Sequence, residues 1–96
     1  MPGLPRVQPL ALRLDIAPNP VRARTQIAFG LHADADVTRD LVDLAGRRVD
    51  ELIHEQPQTA GWHTVQFSRA GLPAGLYFVT LRAGGETLGR KVLLAN

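Results

Sequence analysis

Short runs in which apolar and polar residues alternate dominate this chain. Such spacing is typical of β-strands that have one face on a core and the other in solvent. In the first run, residues 10–16, one face carries Leu10, Leu12, Leu14 and Ile16. In the second run, one face carries Ile27, Phe29 and Leu31. The pattern predicts that both segments are strands.

Five later segments continue this pattern. Residues 37–44 and 49–54 are predicted to form the third and fourth strands, and residues 87–94 the last one. The apolar face of a fifth strand is predicted at His63, Val65 and Phe67. The apolar face of a sixth strand, which starts at residue 76, is predicted at Tyr77, Val79 and Leu81.

Turn residues separate these strands. The separating segments are Pro18-Asn19-Pro20, Ala45-Gly46, a polar connection at residues 56–61, and Gly84-Gly85. Seven short strands at this spacing predict an all-β fold, a seven-stranded antiparallel Ig-like β-sandwich. We expect residues 10–96 to form this domain. Residues 1–9 include three prolines and are expected to be a linker or disordered tail.

A tyrosine and a glycine stand at the start of the sixth predicted strand. In Ig-like sandwiches, a tyrosine near the start of the penultimate strand packs its ring in the core and returns its hydroxyl to a nearby backbone group. We expect this arrangement for Tyr77. Gly75 allows a positive φ or a close backbone approach, and Pro73 marks the outer limit of the strand because it cannot donate to a ladder.

Composition narrows the classes of function. The chain has 96 residues, enough for one domain, and no cysteine, which excludes a disulfide framework and a thiolate metal site. Its net charge of +2 comes from 11 cations scattered among 9 carboxylates, without the dense basic stripe of a nucleic-acid surface. No apolar run approaches the ~18 residues that cross a bilayer. We therefore expect no nucleic-acid partner and no stable membrane insertion.

The chain does not offer a set of catalytic residues. His32, His54 and His63 lie in separate elements, and the single serine, Ser68, has no nucleophile elbow around it. We interpret His63, on an apolar strand face, as a half-buried, hydrogen-bonded imidazole. The sequence therefore predicts a protein that is not an enzyme, with no cofactor and no linear metal motif.

Two features leave a binding site open. The acidic residues Asp34, Asp36 and Asp40 do not fit a helix–loop–helix calcium motif, but a looser calcium site between loops is compatible with them. Trp62 is expected on the strand face opposite to His63. If exposed, Trp62 would suit a carbohydrate or protein contact, but packing on an edge strand is the favoured interpretation.

Six motifs follow one another along the chain. They are Pro18-Asn19-Pro20-Val21, Thr25-Gln26-Ile27-Ala28-Phe29, Val42-Asp43-Leu44-Ala45-Gly46-Arg47-Arg48-Val49, Ala60-Gly61-Trp62-His63-Thr64-Val65, Leu72-Pro73-Ala74-Gly75-Leu76-Tyr77-Phe78 and Arg90-Lys91-Val92-Leu93-Leu94. In this order and spacing they resemble the type A C-terminal sorting domain of the type IX secretion system, also called the Por secretion sorting domain. The resemblance covers about residues 10–94.

The resemblance implies a non-catalytic Ig-like domain that sorts exported cargo. Its implied partners are the outer-membrane secretion machinery, a cargo domain N-terminal to it and, in many members, a sortase-like protease. The implied localisation is the cell surface or the extracellular space after transit through the periplasm, with an export signal outside this sequence. Pairing along the edge of the last strand is one way to bind such partners. The positions that match the family's recognition motifs are Pro18, Asn19, Pro20, Gly46, Arg47, Gly75, Tyr77 and Lys91.

Two positions depart from the family pattern. Val42 stands where a tyrosine is usual. Arg39 falls at a strand position that is usually apolar, which predicts that the third strand is an edge strand or is shifted in register.

Two other classes of function share parts of the pattern. The Ig-like domain of the flagellar hook-capping protein also has the Pro-Asn-Pro, Asp-x-x-Gly-Arg and Gly-x-Tyr elements. It usually has an insertion after the fifth strand, and the short segment 67–71 lacks one. An accessory binding module of a secreted hydrolase would need an exposed aromatic platform, for which Trp62 and Phe78 are the candidates. The sorting function is the favoured interpretation.

Overall fold

The computed structural model describes residues 9–96, which form seven β-strands and no helix. The strands are β1 (Arg13–Ala17), β2 (Arg24–Leu31), β3 (Ala35–Val42), β4 (Arg48–Gln58), β5 (Gly61–Ser68), β6 (Gly75–Ala83) and β7 (Glu86–Leu94). All seven predicted strands are therefore confirmed. The predicted linker at residues 1–9 lies outside the described residues except for Pro9.

The strands form two antiparallel sheets that pack face to face. The sheet orders are β1-β2-β5 and β4-β3-β6-β7. This confirms the predicted seven-stranded antiparallel sandwich. In the constant-type immunoglobulin arrangement the fourth strand joins the sheet of the first, second and fifth strands, whereas β4 here pairs with β3. The relation to immunoglobulin domains stays a prediction.

Several strand boundaries differ from the sequence prediction, and in three strands the differences are larger than one residue. Leu10 is 98% exposed and precedes β1, so the first strand is shorter than predicted. β3 runs from Ala35 to Val42, so it begins and ends two residues earlier than predicted. β4 extends to Gln58, which pairs with Ala35, so the polar connection predicted at residues 56–61 is reduced to residues 59–60. Pro57 is compatible with β4 because an edge strand has one side that needs no N–H donor.

The core lies between the two sheets and is built from alternate residues of both. The most deeply buried large side chains are Leu14, Val21, Ile27, Phe29, Leu31, Val37, Leu41, Val79, Leu81, Val92 and Leu94. Burying one such side chain stabilises the folded state by about 1.5–3 kcal/mol. The period-2 pattern of the sequence therefore identifies most of this core.

Arg39 lies in the interior of β3 and is only 4% exposed. The prediction that β3 is an edge strand is wrong, since β3 lies between β4 and β6. The predicted register shift is confirmed, because the pairing of β3 with β4 is irregular near Arg39. The charged side chain of Arg39 is accommodated by a cation–π contact, because its guanidinium carbon lies 5.3 Å from the centroid of the Phe29 ring. Burial lowers the pKa of Arg39.

The register places four parts of the chain at one end of the sandwich. Gly75, which begins β6, pairs with Leu94, and Val42, which ends β3, pairs with Phe78. Val21 forms a parallel bridge with Leu94. The shared end therefore contains residues 18–23, 43–47, 69–74 and 95–96, and we call it the motif end. The opposite end contains residues 32–34, 59–60 and 84–85.

Candidate recognition site

The motif end gathers the residues that the sequence singles out for recognition. Pro18, Asn19 and Pro20 lie in the β1–β2 connection, Gly46 and Arg47 in the β3–β4 turn, and Gly75, Tyr77 and Lys91 on the adjoining parts of β6 and β7. Residues that are far apart in the sequence therefore share one end of the sandwich. A partner that binds this end can contact residues of several motifs at once.

Asn19 joins the first connection of the chain to its last strand. Its Nδ2 donates to the carbonyl oxygen of Lys91 at 2.9 Å, and its Oδ1 accepts from the N–H of Leu93 at 3.0 Å. Val21 continues this pattern, because its N–H donates to Leu93 at 2.7 Å and its carbonyl accepts from Ala95 at 2.8 Å. The side-chain amide of Asn19 thus forms hydrogen bonds with the edge of β7 that a neighbouring strand would otherwise form.

This contact changes what the edge of β7 can bind. An open strand edge is a template for another strand, and residues 19–21 occupy the C-terminal half of this one. Within the described residues no strand pairs with the N-terminal half on that side. A partner strand that pairs with the edge of β7 would therefore find backbone groups without a strand partner around Thr87 and Gly89.

The segment around Asn19 is also fixed from the other side. The peptide bonds before Pro18 and before Pro20 are both cis. The buried Thr25 hydroxyl donates to the carbonyl oxygen of Pro18 at 2.6 Å. Pro18, Asn19 and Pro20 are themselves exposed, so their shape is presented to solvent on a fixed backbone.

The β3–β4 turn is organised by Asp43. Its Oδ1 accepts the N–H groups of Ala45 at 3.0 Å and Arg47 at 2.9 Å, and its Oδ2 accepts from Nε of Arg47 at 3.0 Å. The Arg47 backbone N–H lowers the pKa of Asp43; desolvation opposes this, and the Arg47 guanidinium lowers the pKa further. Gly46 has φ +82° with open space around it, so its conformation and not lack of room requires glycine.

Tyr77 confirms the predicted tyrosine arrangement. The residue is 8% exposed, and its hydroxyl donates to the carbonyl oxygen of Pro73 at 2.9 Å. Gly75 has φ +153°, a conformation that side-chain-bearing residues rarely adopt, and a Cβ there would lie 3.9 Å from Cε1 of Tyr77. Both residues therefore contribute to the conformation of the β5–β6 loop. Neither offers a free polar side chain to a partner.

Arg69 is the residue of this site that sequence reasoning missed. Its guanidinium donates to the carbonyl oxygens of Arg22 at 3.2 Å, Val21 at 3.4 Å and Leu72 at 3.1 Å, and also to that of Ala95. One side chain thereby ties together the β1–β2 connection, the β5–β6 loop and the segment after β7. No sequence signal identifies it, since backbone carbonyls are partners that every residue supplies.

The recognition candidates divide into two groups by how they are presented. Gly46, Gly75 and Tyr77 act on backbone conformation or lie in the core. The remaining members present side chains to solvent, and they are Pro18, Asn19, Pro20, Arg47 and Lys91. Lys91 contributes its backbone carbonyl to the bond with Asn19, so its ammonium group can be changed without touching that contact.

Charge is distributed unevenly between the two ends. The motif end and the strand residues beside it carry Arg22, Arg24, Arg47, Arg48, Arg69 and Lys91. Acidic residues gather towards the opposite end, namely Asp34, Asp36, Glu55 and Glu86, where Arg13 and Arg82 offset part of their charge. Ion pairs with Asp43 and Glu51 offset Arg47 and Arg48 in part. The motif end is therefore basic although the net charge of the chain is only +2.

The other candidates from the sequence lie elsewhere. His63 is half-buried, its Nε2 lies 2.7 Å from the carbonyl oxygen of Thr59, and its ring stacks on Phe29 with centroids 5.1 Å apart, which confirms the interpretation of His63. Trp62 is 51% exposed on edge strand β5. A carbohydrate or protein contact there stays a prediction.

The three acidic residues weighed for calcium do not come together. Asp34 accepts the N–H of Ala60 at 2.7 Å, Asp36 is exposed, and Asp40 is buried in β3. Within residues 9–96, no three side chains of the His, Cys, Asp and Glu types are grouped closely enough to hold a metal ion.

Comparison with known proteins places the chain in a family. A family model described as the secretion system C-terminal sorting domain matches residues 15–95. This range includes all seven strands except the first two residues of β1, and the whole motif end except Asn96. No curated protein matches the chain. No helix in the described part of the chain has the length and hydropathy to cross a membrane. The chain belongs to the secretion-system C-terminal sorting domain family, the sorting signals of type IX secretion.

Proposed function

We propose that this domain directs an exported cargo, joined to its N-terminal side, across the outer membrane to the cell surface. The family match over residues 15–95 carries this proposal. Convergence of the motif residues on one end of the sandwich supports it, since a sorting signal must present a surface that a receptor can recognise. The domain itself performs no reaction in this scheme.

The motif end is the proposed contact surface for the secretion machinery. Its exposed side chains, Pro18, Asn19, Pro20, Arg47 and Lys91, are presented on a backbone that Arg69 and Asp43 hold in place. Because this end is basic, the matching surface of the partner is acidic. Complementary charge speeds association and excludes wrong partners. Gly46, Gly75 and Tyr77 contribute through the shape that they impose.

A sortase-like protease completes the proposed sequence of events. It separates the cargo from the domain before β1, and the cargo is then attached at the surface. Support for this step comes from the resemblance to family members that are processed in this way. We retain residues 10–96 as the domain and residues 1–9 as the connection to the cargo, in line with a family match that begins at residue 15.

A reporter fusion tests the function. The full 96-residue chain is fused to the C-terminal side of a periplasmic reporter in a bacterium that has type IX machinery. We expect the reporter at the cell surface, as measured by protease shaving and surface labelling. The unfused reporter is the control and stays in the periplasm. Equal surface levels with and without the domain would refute the proposal.

Two variants separate recognition from folding. Tyr77→Phe removes the hydroxyl bonded to Pro73 and should lower the free energy of unfolding by about 1 kcal/mol. Lys91→Gln keeps the carbonyl used by Asn19 and should leave the melting temperature unchanged while reducing surface transport several-fold. Circular-dichroism melts accompany each transport assay. Full transport by Lys91→Gln would contradict direct recognition of that side chain.

A further inference from the structure

The outer face of the three-stranded sheet holds a contact that none of the motifs accounts for. Gly30 in β2 pairs with Arg13 of β1 on one side and with Trp62 of β5 on the other. Pro9 is buried at this position, although its neighbour Leu10 is 98% exposed. A residue that precedes the first strand is therefore packed onto the sheet.

Gly30 provides the space for Pro9. A Cβ at residue 30 would lie 2.7 Å from Cγ and 3.2 Å from Cβ of Pro9, and 3.2 Å from Cε3 of Trp62. Protein interiors are close-packed, so a side chain at residue 30 would displace Pro9 or the indole. An aromatic ring laid over a strand glycine is a known way to cover its exposed backbone. We call Pro9, Gly30 and Trp62 the proline seat.

We propose that the proline seat anchors the chain that precedes the domain to the outer face of the three-stranded sheet. The occupant is this chain's own N-terminal segment, because Pro9 already fills the seat. Proline suits the role, since its restricted φ leaves little conformational freedom to lose when it is ordered. Leu12 is also buried, so the two exposed residues between Pro9 and Leu12 are held from both sides.

The seat also fixes where the preceding chain meets the domain. β2 runs from Arg24, at the motif end, to Leu31, at the opposite end. Gly30 is six residues from Arg24, a separation of about 20 Å along a strand. Pro9, the anchored point before β1, therefore lies far from the motif end, which suits a cargo that leaves that end uncovered. This consequence rests on the proposed sorting function, whereas the anchor itself does not.

Gly30→Ala in the full chain tests the anchor. The added methyl group displaces Pro9, because its 2.7 Å approach to Cγ of Pro9 is closer than its 3.2 Å approach to Trp62. It leaves the sequence around Leu10 unchanged. Cleavage by chymotrypsin after Leu10 requires this stretch to open, and we expect it to be roughly tenfold faster in the variant because cleavage follows the population of the open form. The fluorescence of Trp62, the single tryptophan, should shift to the red as the indole loses its cover.

Gly89→Ala is the matched control, because it also adds a methyl group to a strand glycine. Its Cβ would lie 3.9 Å from the carbonyl oxygen of Val79, an ordinary contact, so cleavage and fluorescence should match those of the wild type. Equal cleavage rates after Leu10 in both variants would overturn the anchor, and so would a fluorescence shift without faster cleavage.

A second variant covers the case in which Gly30→Ala unfolds the whole domain. Pro9→Asp leaves the sheet residues unchanged but puts a carboxylate where an apolar ring is buried. Because burying an unpaired charge is costly, the aspartate side chain should leave the seat. We expect a red shift of Trp62 fluorescence with an unchanged circular-dichroism spectrum. Wild-type fluorescence in Pro9→Asp would overturn the proposal. Both readouts use the isolated chain, so failure of the anchor is distinguished from failure of transport.

Discussion

Arg39 carries a guanidinium into the space between the two sheets, where an apolar side chain would be expected. Its Nε has no hydrogen-bond partner in the described part of the chain, and the group lies over the Phe29 ring. An unsatisfied buried donor costs about 1–3 kcal/mol. A desolvated cation–π contact offsets about 2 kcal/mol of that cost. These two terms nearly cancel, and desolvation of the charge, which lowers the pKa of Arg39, adds a further cost. Arg39 therefore stabilises the domain less than an apolar residue would.

Arg39→Met should therefore stabilise the domain. Methionine keeps most of the buried alkyl volume and removes the unpaired donor, so we expect the free energy of unfolding to rise by about 1 kcal/mol. Urea denaturation at neutral pH measures the change. Arg82→Met, on an exposed position of β6, is the control and should change stability by less than about 0.5 kcal/mol. A fall in stability for Arg39→Met would show that the cation–π contact outweighs desolvation.

At the scale of elements, the β3–β4 turn shows how one charged residue organises a hairpin. The Asp43 carboxylate accepts two backbone N–H groups and the guanidinium of Arg47. These contacts require the ionised form, which is why they lower the pKa of Asp43. The stability of the turn therefore depends on pH.

Stability should depend on Asp43 in a defined pH window. The folded-state pKa lies below the unfolded value of about 3.9, so the unfolded chain binds more protons in acid. The stabilisation is present above about pH 4 and is lost as the pH falls through the folded pKa. Asp43→Asn should accordingly be less stable than the wild type at pH 7, and the difference should shrink below pH 4. Urea denaturation between pH 2 and pH 7 measures this, and a pH-independent difference would contradict it.

At the scale of the whole molecule, the two ends of the sandwich differ in charge. The motif end and the adjoining start of β2 carry the exposed arginines Arg22 and Arg24, and the opposite end carries carboxylates such as Asp34 and Glu86. Such polarity orients a protein as it approaches a charged surface. Since the proline seat lies towards the acidic end, it leaves the basic end accessible to a partner.

Neutralising single arginines should reveal this polarity. Arg22→Gln and Arg24→Gln are each expected to lower surface transport of a reporter several-fold, because each removes a charge from the motif end. Arg82→Gln removes the same charge from the opposite end, next to the residue-84 turn, and should transport normally. Surface labelling quantifies all three, with a melt for each to confirm folding. Equal losses of transport in all three variants would show that the net charge matters and its position does not. Normal transport by all three variants would exclude an acidic partner surface.

The sequence by itself determined the seven strands, the faces of most of them and the main turns. These features depend on neighbours in the chain, because side-chain alternation and turn chemistry act within a few residues. The arrangement of Tyr77 was predictable for the same reason, since its hydroxyl bonds to Pro73, four residues away. The order of the six motifs was likewise sufficient to suggest the family that the comparison then showed.

Only the tertiary structure decided which of these pieces meet. Asn19 and Lys91 are 72 positions apart, and Arg69 reaches carbonyl groups on three segments. Backbone carbonyls and a strand glycine leave no specific mark in the sequence, so neither the motif end nor the proline seat can be read from it. The extent of β4 was undetermined as well, because its pairing with β3 overrides a polar composition that favours a loop.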